Sequence, residues 1–168
     1  ADASGTTIWN YDNRDRAQSK VTPEGTLTYT WDAHGNVSSV VSSNANGVNV
    51  GYAWDVLNRL QAVTDNVLGN STSYTYDDAG NLATFQYPNS VLHSYTYDAK
   101  DQISNLEVGK VPSILATYAQ TYGDSGQKLT NAELSGRSVV YGYDPTYRLL
   151  SETITGDPVS ANNGAINY

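Results

Sequence analysis

The chain has 168 residues with 17 acidic against nine basic side chains, a net charge of −8, so nucleic acid and anionic membrane surfaces are poor partners. It has no cysteine, which excludes disulfides and thiolate metal sites, and no apolar run of about 18 residues that could cross a membrane as a helix. Its 14 Tyr and three Trp stand against one Phe and no Met. Tyrosine is therefore expected to fill much of a core that a chain of this length can bury, with each hydroxyl needing a partner.

In chain order, Trp9-Asn10-Tyr11-Asp12 opens a pattern. It returns as Tyr29-Thr30-Trp31-Asp32, Tyr52-Ala53-Trp54-Asp55, Tyr74-Thr75-Tyr76-Asp77 and Tyr95-Thr96-Tyr97-Asp98. Gln120-Thr121-Tyr122-Gly123 and Tyr141-Gly142-Tyr143-Asp144 complete seven copies, with a mean period of about 22 residues. Aromatics two apart share one face of a strand, and the small or polar residue between them faces the other way. The pattern predicts a half-buried strand at each copy.

A turn is predicted next. Asp12, Asp32, Asp55, Asp77, Asp98 and Asp144 hold its first position, where a carboxylate can accept bonds from backbone N–H groups just ahead. Pro145 follows Asp144 at a position that type I turns favour. Three residues past the first position come Asp15, Gly35, Asn58, Gly80, Asp101, Gly126 and Tyr147. All but Tyr147 are types that tolerate a left-handed backbone, as a type I turn closed by a bulge requires. The second strand then opens at Ala17, Val37, Leu60, Leu82, Ile103 and Leu149. The sixth copy has Lys128 there, and its register is expected to shift by one so that Leu129 takes the place. The segments around Asn44 to Asn49 and Pro112 read as loops, too short to separate domains, and no stretch shows a helical period. A lone hairpin is marginal in water, so each copy must pair with its neighbours.

These phrases, most clearly YTYDDAGNL, YTWDAHGNV and TYGDSGQKL, resemble the YD repeats of the Rhs/YD-repeat family, which includes bacterial Rhs proteins, the C components of insecticidal toxin complexes and teneurins. The resemblance covers roughly residues 8 to 155. It implies an all-β strip of stacked antiparallel hairpins, curled as a section of shell, and in the toxin members an enclosed C-terminal effector. The Asp-Pro pairs of YDPTYRLL and GDPVS lack the glycine of the family's core motif, and the chain is too short to close a shell. Residues 1–168 are thus expected to be one repeat array cut from a longer secreted or cell-surface protein.

Other chemistries are weaker. Each Tyr-Asp pair reads as core phenol plus turn carboxylate rather than as catalysis, and no cofactor is expected. His34 falls in a turn and His93 before a strand, both expected at the surface without metal or triad spacing. Asp12 to Asp15 echoes a calcium loop but lacks its glycine and distal glutamate. Asn36-Val37-Ser38 and Asn70-Ser71-Thr72 match glycosylation sequons. The alternative function is carbohydrate binding or surface adhesion, which would use the aromatics outside the pattern, Tyr87, Tyr118 and Tyr147. The partners left open are neighbouring repeats, an enclosed effector, a polysaccharide, and a second copy paired edge to edge.

Overall fold

The computed structural model describes residues 5–168, and among these it forms fifteen strands and one short 3₁₀ turn. Two compact units divide the chain between Tyr74 and Thr75. The first holds β1 (Ile8–Tyr11), β2 (Ala17–Thr22), β3 (Gly25–Trp31), β4 (Val37–Ser42), β5 (Asn49–Trp54), β6 (Leu60–Asp65) and most of β7 (Asn70–Tyr76). Each of these pairs antiparallel with the next in chain order. The second unit holds β8 (Leu82–Gln86), β9 (Leu92–Tyr97), β10 (Ile103–Lys110), β11 (Ser113–Tyr122), β12 (Lys128–Glu133), β13 (Ser138–Tyr143), β14 (Leu149–Thr155) and β15 (Gly164–Asn167). They too pair in order. The fold is all-β, built of stacked antiparallel hairpins.

In six of the seven repeat hairpins the register slips just past the turn, in addition to the bulge expected at the left-handed position. Thr30 opposes Ser39 but Trp31 opposes Val37, so Ser38 is an extra residue in the second strand. The same slip falls at Tyr11↔Ala17, Trp54↔Leu60, Tyr97↔Ile103, Tyr122↔Lys128 and Tyr143↔Leu149. A bulge here sharpens the local twist just past the turn. It also corrects the expected shift in the sixth copy. Lys128 stands in the ordinary register opposite Tyr122, and Leu129 is the bulged residue. Register is set by turn length, which is the same in this copy, and not by the hydrophobicity of one side chain.

The two faces differ as period-two alternation requires. Thr30, Thr75, Thr96 and Thr121 are exposed, and their hydroxyls bond across to Ser39 (2.6 Å), Thr84 (2.6 Å), Ser104 (3.1 Å) and Thr130 (2.6 Å). The aromatic face is half-covered rather than buried. Among the described residues the one buried hydrophobic side chain is Val139, 2% exposed. The expectation of a tyrosine-filled core is therefore corrected. Within each unit, strands contact chiefly their sequence neighbours, so no second layer covers the aromatic face.

Candidate functional site

The seven turns form one structural theme. In each, the first residue's N–H donates to the carbonyl four residues on, and the fourth residue's N–H returns to the first carbonyl. The residue between these bonds has positive φ at Asp15 (58°), Gly35 (94°), Asn58 (60°), Gly80 (96°), Asp101 (58°), Gly126 (85°) and Tyr147 (63°). Tyr147, whose type does not favour this region, adopts it all the same, because both turn bonds around it are made, at 2.9 and 3.0 Å.

The carboxylates close these turns. Asp12 Oδ1 accepts from the N–H groups of Arg14 (2.8 Å) and Arg16 (3.0 Å), while Oδ2 accepts from Arg16 Nε (2.8 Å). Asp32 repeats this with His34, Asn36 and the Asn36 carboxamide. Asp55 does so with Leu57, Arg59 and the Arg59 guanidinium. Asp77 accepts from the Asn81 N–H and carboxamide, and Asp98 from the Lys100 and Gln102 N–H groups. Asp144 accepts from Thr146, its hydroxyl, and Arg148 twice. The polar residue four past the first position of each turn is the element that sequence reasoning missed. The run Arg16, Asn36, Arg59, Asn81, Gln102, Gln127, Arg148 was legible as a column of hydrogen-bond donors.

These bonds favour the ionised form. The Arg16 side chain, then its N–H, draws the Asp12 carboxyl down to about 2, and the Arg148 N–H followed by the Thr146 hydroxyl does the same for Asp144. The N–H of Asn36 lowers Asp32 and that of Arg59 lowers Asp55. At Asp77 burial pushes upward, but the bonds from Asn81 and the N–H groups of Gly80 and Ala79 together outweigh it.

In the sixth copy Gly123 stands at the carboxylate position with the same backbone bonds, to Gln127 O (2.9 Å) and from Gly126 N (3.0 Å). The Gln127 amide swings into the vacant space, its Nε2 within contact of where a Cβ would stand. Its Oε1 is buried without a partner.

The aromatic rings provide the second theme. Trp31 Nε1 donates to Ala17 O (2.9 Å) and Trp54 Nε1 to Val37 O (2.8 Å). The hydroxyls of Tyr97 and Tyr143 donate to Leu82 O (2.9 Å) and Lys128 O (2.8 Å), and that of Tyr122 lies within bonding distance of both Ile103 O (2.9 Å) and Gln120 Oε1 (2.7 Å). Each of these carbonyls opens the second strand of the preceding copy. Indole and phenol reach the same atom because each carries one donor at the far end of a flat ring. Burial raises the Tyr97 and Tyr122 hydroxyls above their ordinary range. Tyr11, on β1, is 57% exposed, whereas Tyr74 and Tyr76 are half-buried on β7. Along the turn edge, Asn36 Nδ2 reaches Asn58 Oδ1 (2.9 Å) and Asn81 Nδ2 reaches Asp101 Oδ1 (2.9 Å), linking adjacent copies again.

Tyr87, Tyr118 and Tyr147 are not gathered. Tyr87 (44% exposed) follows β8, Tyr118 (36%) lies within β11 and Tyr147 (56%) in the turn before β14. Tyr87 opens a turn of the same bonding pattern, closed by Ser90 at φ 68°. It packs edge-on against Phe85 and His93. His93 is a correction: it lies in β9, half-buried, its ring stacked on Phe85 at 4.2 Å. Phe85 and His93 are direct cross-strand partners, which the sequence pattern could not pair. Another turn of this kind joins β12 to β13, where Arg137 bonds Glu133 (2.6 Å) and also reaches Asp157 (3.2 Å). Among the described residues no group of three His, Asp or Glu is placed to hold a metal ion.

Hairpins tied to their predecessors by ring-to-carbonyl bonds define a tandem β-hairpin repeat protein. The family model described as RHS Repeat matches residues 11–47, 31–67 and 54–92. A Bacillus spizizenii protein named tRNA3(Ser)-specific nuclease WapA is 34% identical over 128 residues, covering 73% of this chain and 5% of that protein. The chain belongs to the Rhs/YD-repeat family. Among solved structures, a Photorhabdus luminescens Tc holotoxin pore is similar with a TM-score of 0.77 at 11% identity, over 96% of this chain and 9% of that one. TcdB2-TccC3 without its hypervariable C-terminal region is similar with a TM-score of 0.56 at 15% identity, over 98% and 11%. These likenesses show the fold. The chain spans a small fraction of the length of each of these proteins.

Proposed function

We propose that this chain is a section of the YD-repeat β-shell of a larger secreted or cell-surface protein, a wall without catalysis of its own, and that residues 1–168 are one array. The observation that carries this reading is the seam. Trp31, Trp54, Tyr97 and Tyr143 each commit the ring's one polar hydrogen to the preceding copy, which leaves none for a substrate. The turn aspartates are likewise engaged by their own turns. The partners inferred are the neighbouring repeats and an effector enclosed by the shell, as in the toxin members of the family. The test is protease protection in the chain expressed with its flanking sequence. A downstream segment resists trypsin in the native protein and becomes cleavable in a Trp31→Ala, Trp54→Ala double variant. Equal cleavage of both overturns the reading.

The exposure of Tyr87, Tyr118 and Tyr147 favours carbohydrate binding as the second reading. On the shell reading, a panel of soluble and insoluble polysaccharides shows no retention. Retention lost on changing any of these three to Ala moves the assignment to adhesion.

A further inference from the structure

The chain contains two Asn-Gly pairs, Asn46-Gly47 and Asn163-Gly164, and the structure treats them differently. Asn46 is exposed in the connection between β4 and β5 with a left-handed φ of 61°. Its carboxamide makes no hydrogen bond among the described residues. Gly47 is required there, because a Cβ would stand 2.5 Å from Ser42 Oγ. The Gly47 N–H donates to Asn44 O (3.0 Å), one turn bond to be given up, and with no neighbouring Cβ that nitrogen can then approach the preceding side chain. Asn163 is exposed too, but its carboxamide is held at both ends. Its Oδ1 accepts from Asp157 N (2.9 Å), and its Nδ2 donates to Asp157 O (3.1 Å) and Ser160 O (3.3 Å).

We propose that Asn46 is a self-modification site of the native protein, and that Asn163 is protected from the same chemistry. Once water or hydroxide removes its proton, the Gly47 nitrogen attacks Asn46 Cγ. The bond from Cγ to Nδ2 breaks and the amide leaves as ammonia with that proton. A second water opens the resulting cyclic imide at either carbonyl, to give an aspartyl or an isoaspartyl residue at position 46. No oxidant or enzyme is needed. The connection is tied beyond the reacting pair by Ser42 N to Val48 O (2.6 Å), Ser43 N to Thr26 O (2.8 Å) and Thr26 N to Ser43 Oγ (2.8 Å). The modified chain therefore stays folded. The product places a new negative charge on the hollow lined by Asn46, Val48, Asp65, Val67 and Leu68. Any contact made by that exposed apolar hollow then changes with the age of the molecule.

The test is peptide mass mapping with isoaspartate detection after prolonged incubation at 37 °C in mildly alkaline buffer, folded and in urea. In the folded protein Asn46 is expected to react at least about tenfold faster than Asn163. The held carboxamide must first give up its bonds, and each ~1.4 kcal/mol on a barrier is a factor of ten. In urea the two rates converge. Asn46→Gln abolishes the modification in that peptide, at a small cost in melting temperature because glutamine takes the left-handed region less readily than asparagine. Equal rates in the folded protein, or an Asn46 that reacts only in urea, overturn the proposal.

Discussion

Restoring the absent carboxylate of the sixth copy, by Gly123→Asp, should stabilise the protein. The backbone at Gly123 already makes both turn bonds, and its φ lies outside the left-handed region. The obstacle to a new Cβ is the Gln127 amide, the far end of a flexible side chain. The fifth copy is the template, since Asp98 accepts from the N–H groups two and four residues on and is followed by glutamine at the same place, Gln102. Losing glycine's freedom in the unfolded chain is worth about 0.4–1 kcal/mol. Bonds to an ionised acceptor add about 1 kcal/mol once exposure and the chain's existing negative charge are discounted. A total of about 1–2 kcal/mol corresponds to a rise of roughly 2–8 °C in melting temperature for a chain of this size. Gly123→Ala separates the two contributions, because it carries the entropic part alone. Melts followed by circular dichroism across pH are the assay. The excess of the Asp variant over the Ala variant should be full above the unfolded carboxyl value and vanish as pH falls through the folded one. An Asp variant no more stable than the Ala variant at neutral pH would refute the account of these turns.

Other outcomes follow from the same geometry. Gly80→Val forces a β-branched residue to φ 96° and should cost about 1–3 kcal/mol, whereas Asp15→Gly should be neutral or mildly stabilising, and melts that treat them alike would rule out the left-handed assignment. Asp101→Gly gains the same backbone freedom but forfeits the bond from Asn81, so it should fall below Asp15→Gly. Tyr97→Phe removes the hydroxyl given to Leu82 O and should cost about 1 kcal/mol, while Tyr11→Phe, at an exposed ring, should cost nothing measurable in the same urea titration. For the unmodified chain, Asp12 and Asp144 fall from an ordinary 3.8 to about 2. Their stabilisation is thus complete above the unfolded value and lost as pH drops toward 2, and a melting temperature flat across that acid range would contradict the turn bonds.

The parts of this protein that amino-acid order determined by itself are those that close within a few residues. A turn from Asp32 to Asn36 needs only a carboxylate, a residue willing to take positive φ and the intervening N–H groups, all adjacent in the chain. The alternation of Tyr29, Thr30 and Trp31 likewise fixes which side chains share a face. Even so, local preference did not decide everything local. Tyr147 takes a conformation that its side chain disfavours, and Lys128 holds a register position that its charge seemed to deny it. Only the tertiary structure decided where each ring spends its polar hydrogen. The acceptor for Trp54 is a carbonyl 17 residues upstream, within reach because two hairpins pair. The stacking of His93 on Phe85 arises in the same way from cross-strand register. The extent of burial was also beyond the sequence. Aromatic content measures how much apolar surface there is to cover, while the covering depends on whether a second layer lies opposite, and within each unit these strands meet chiefly their neighbours.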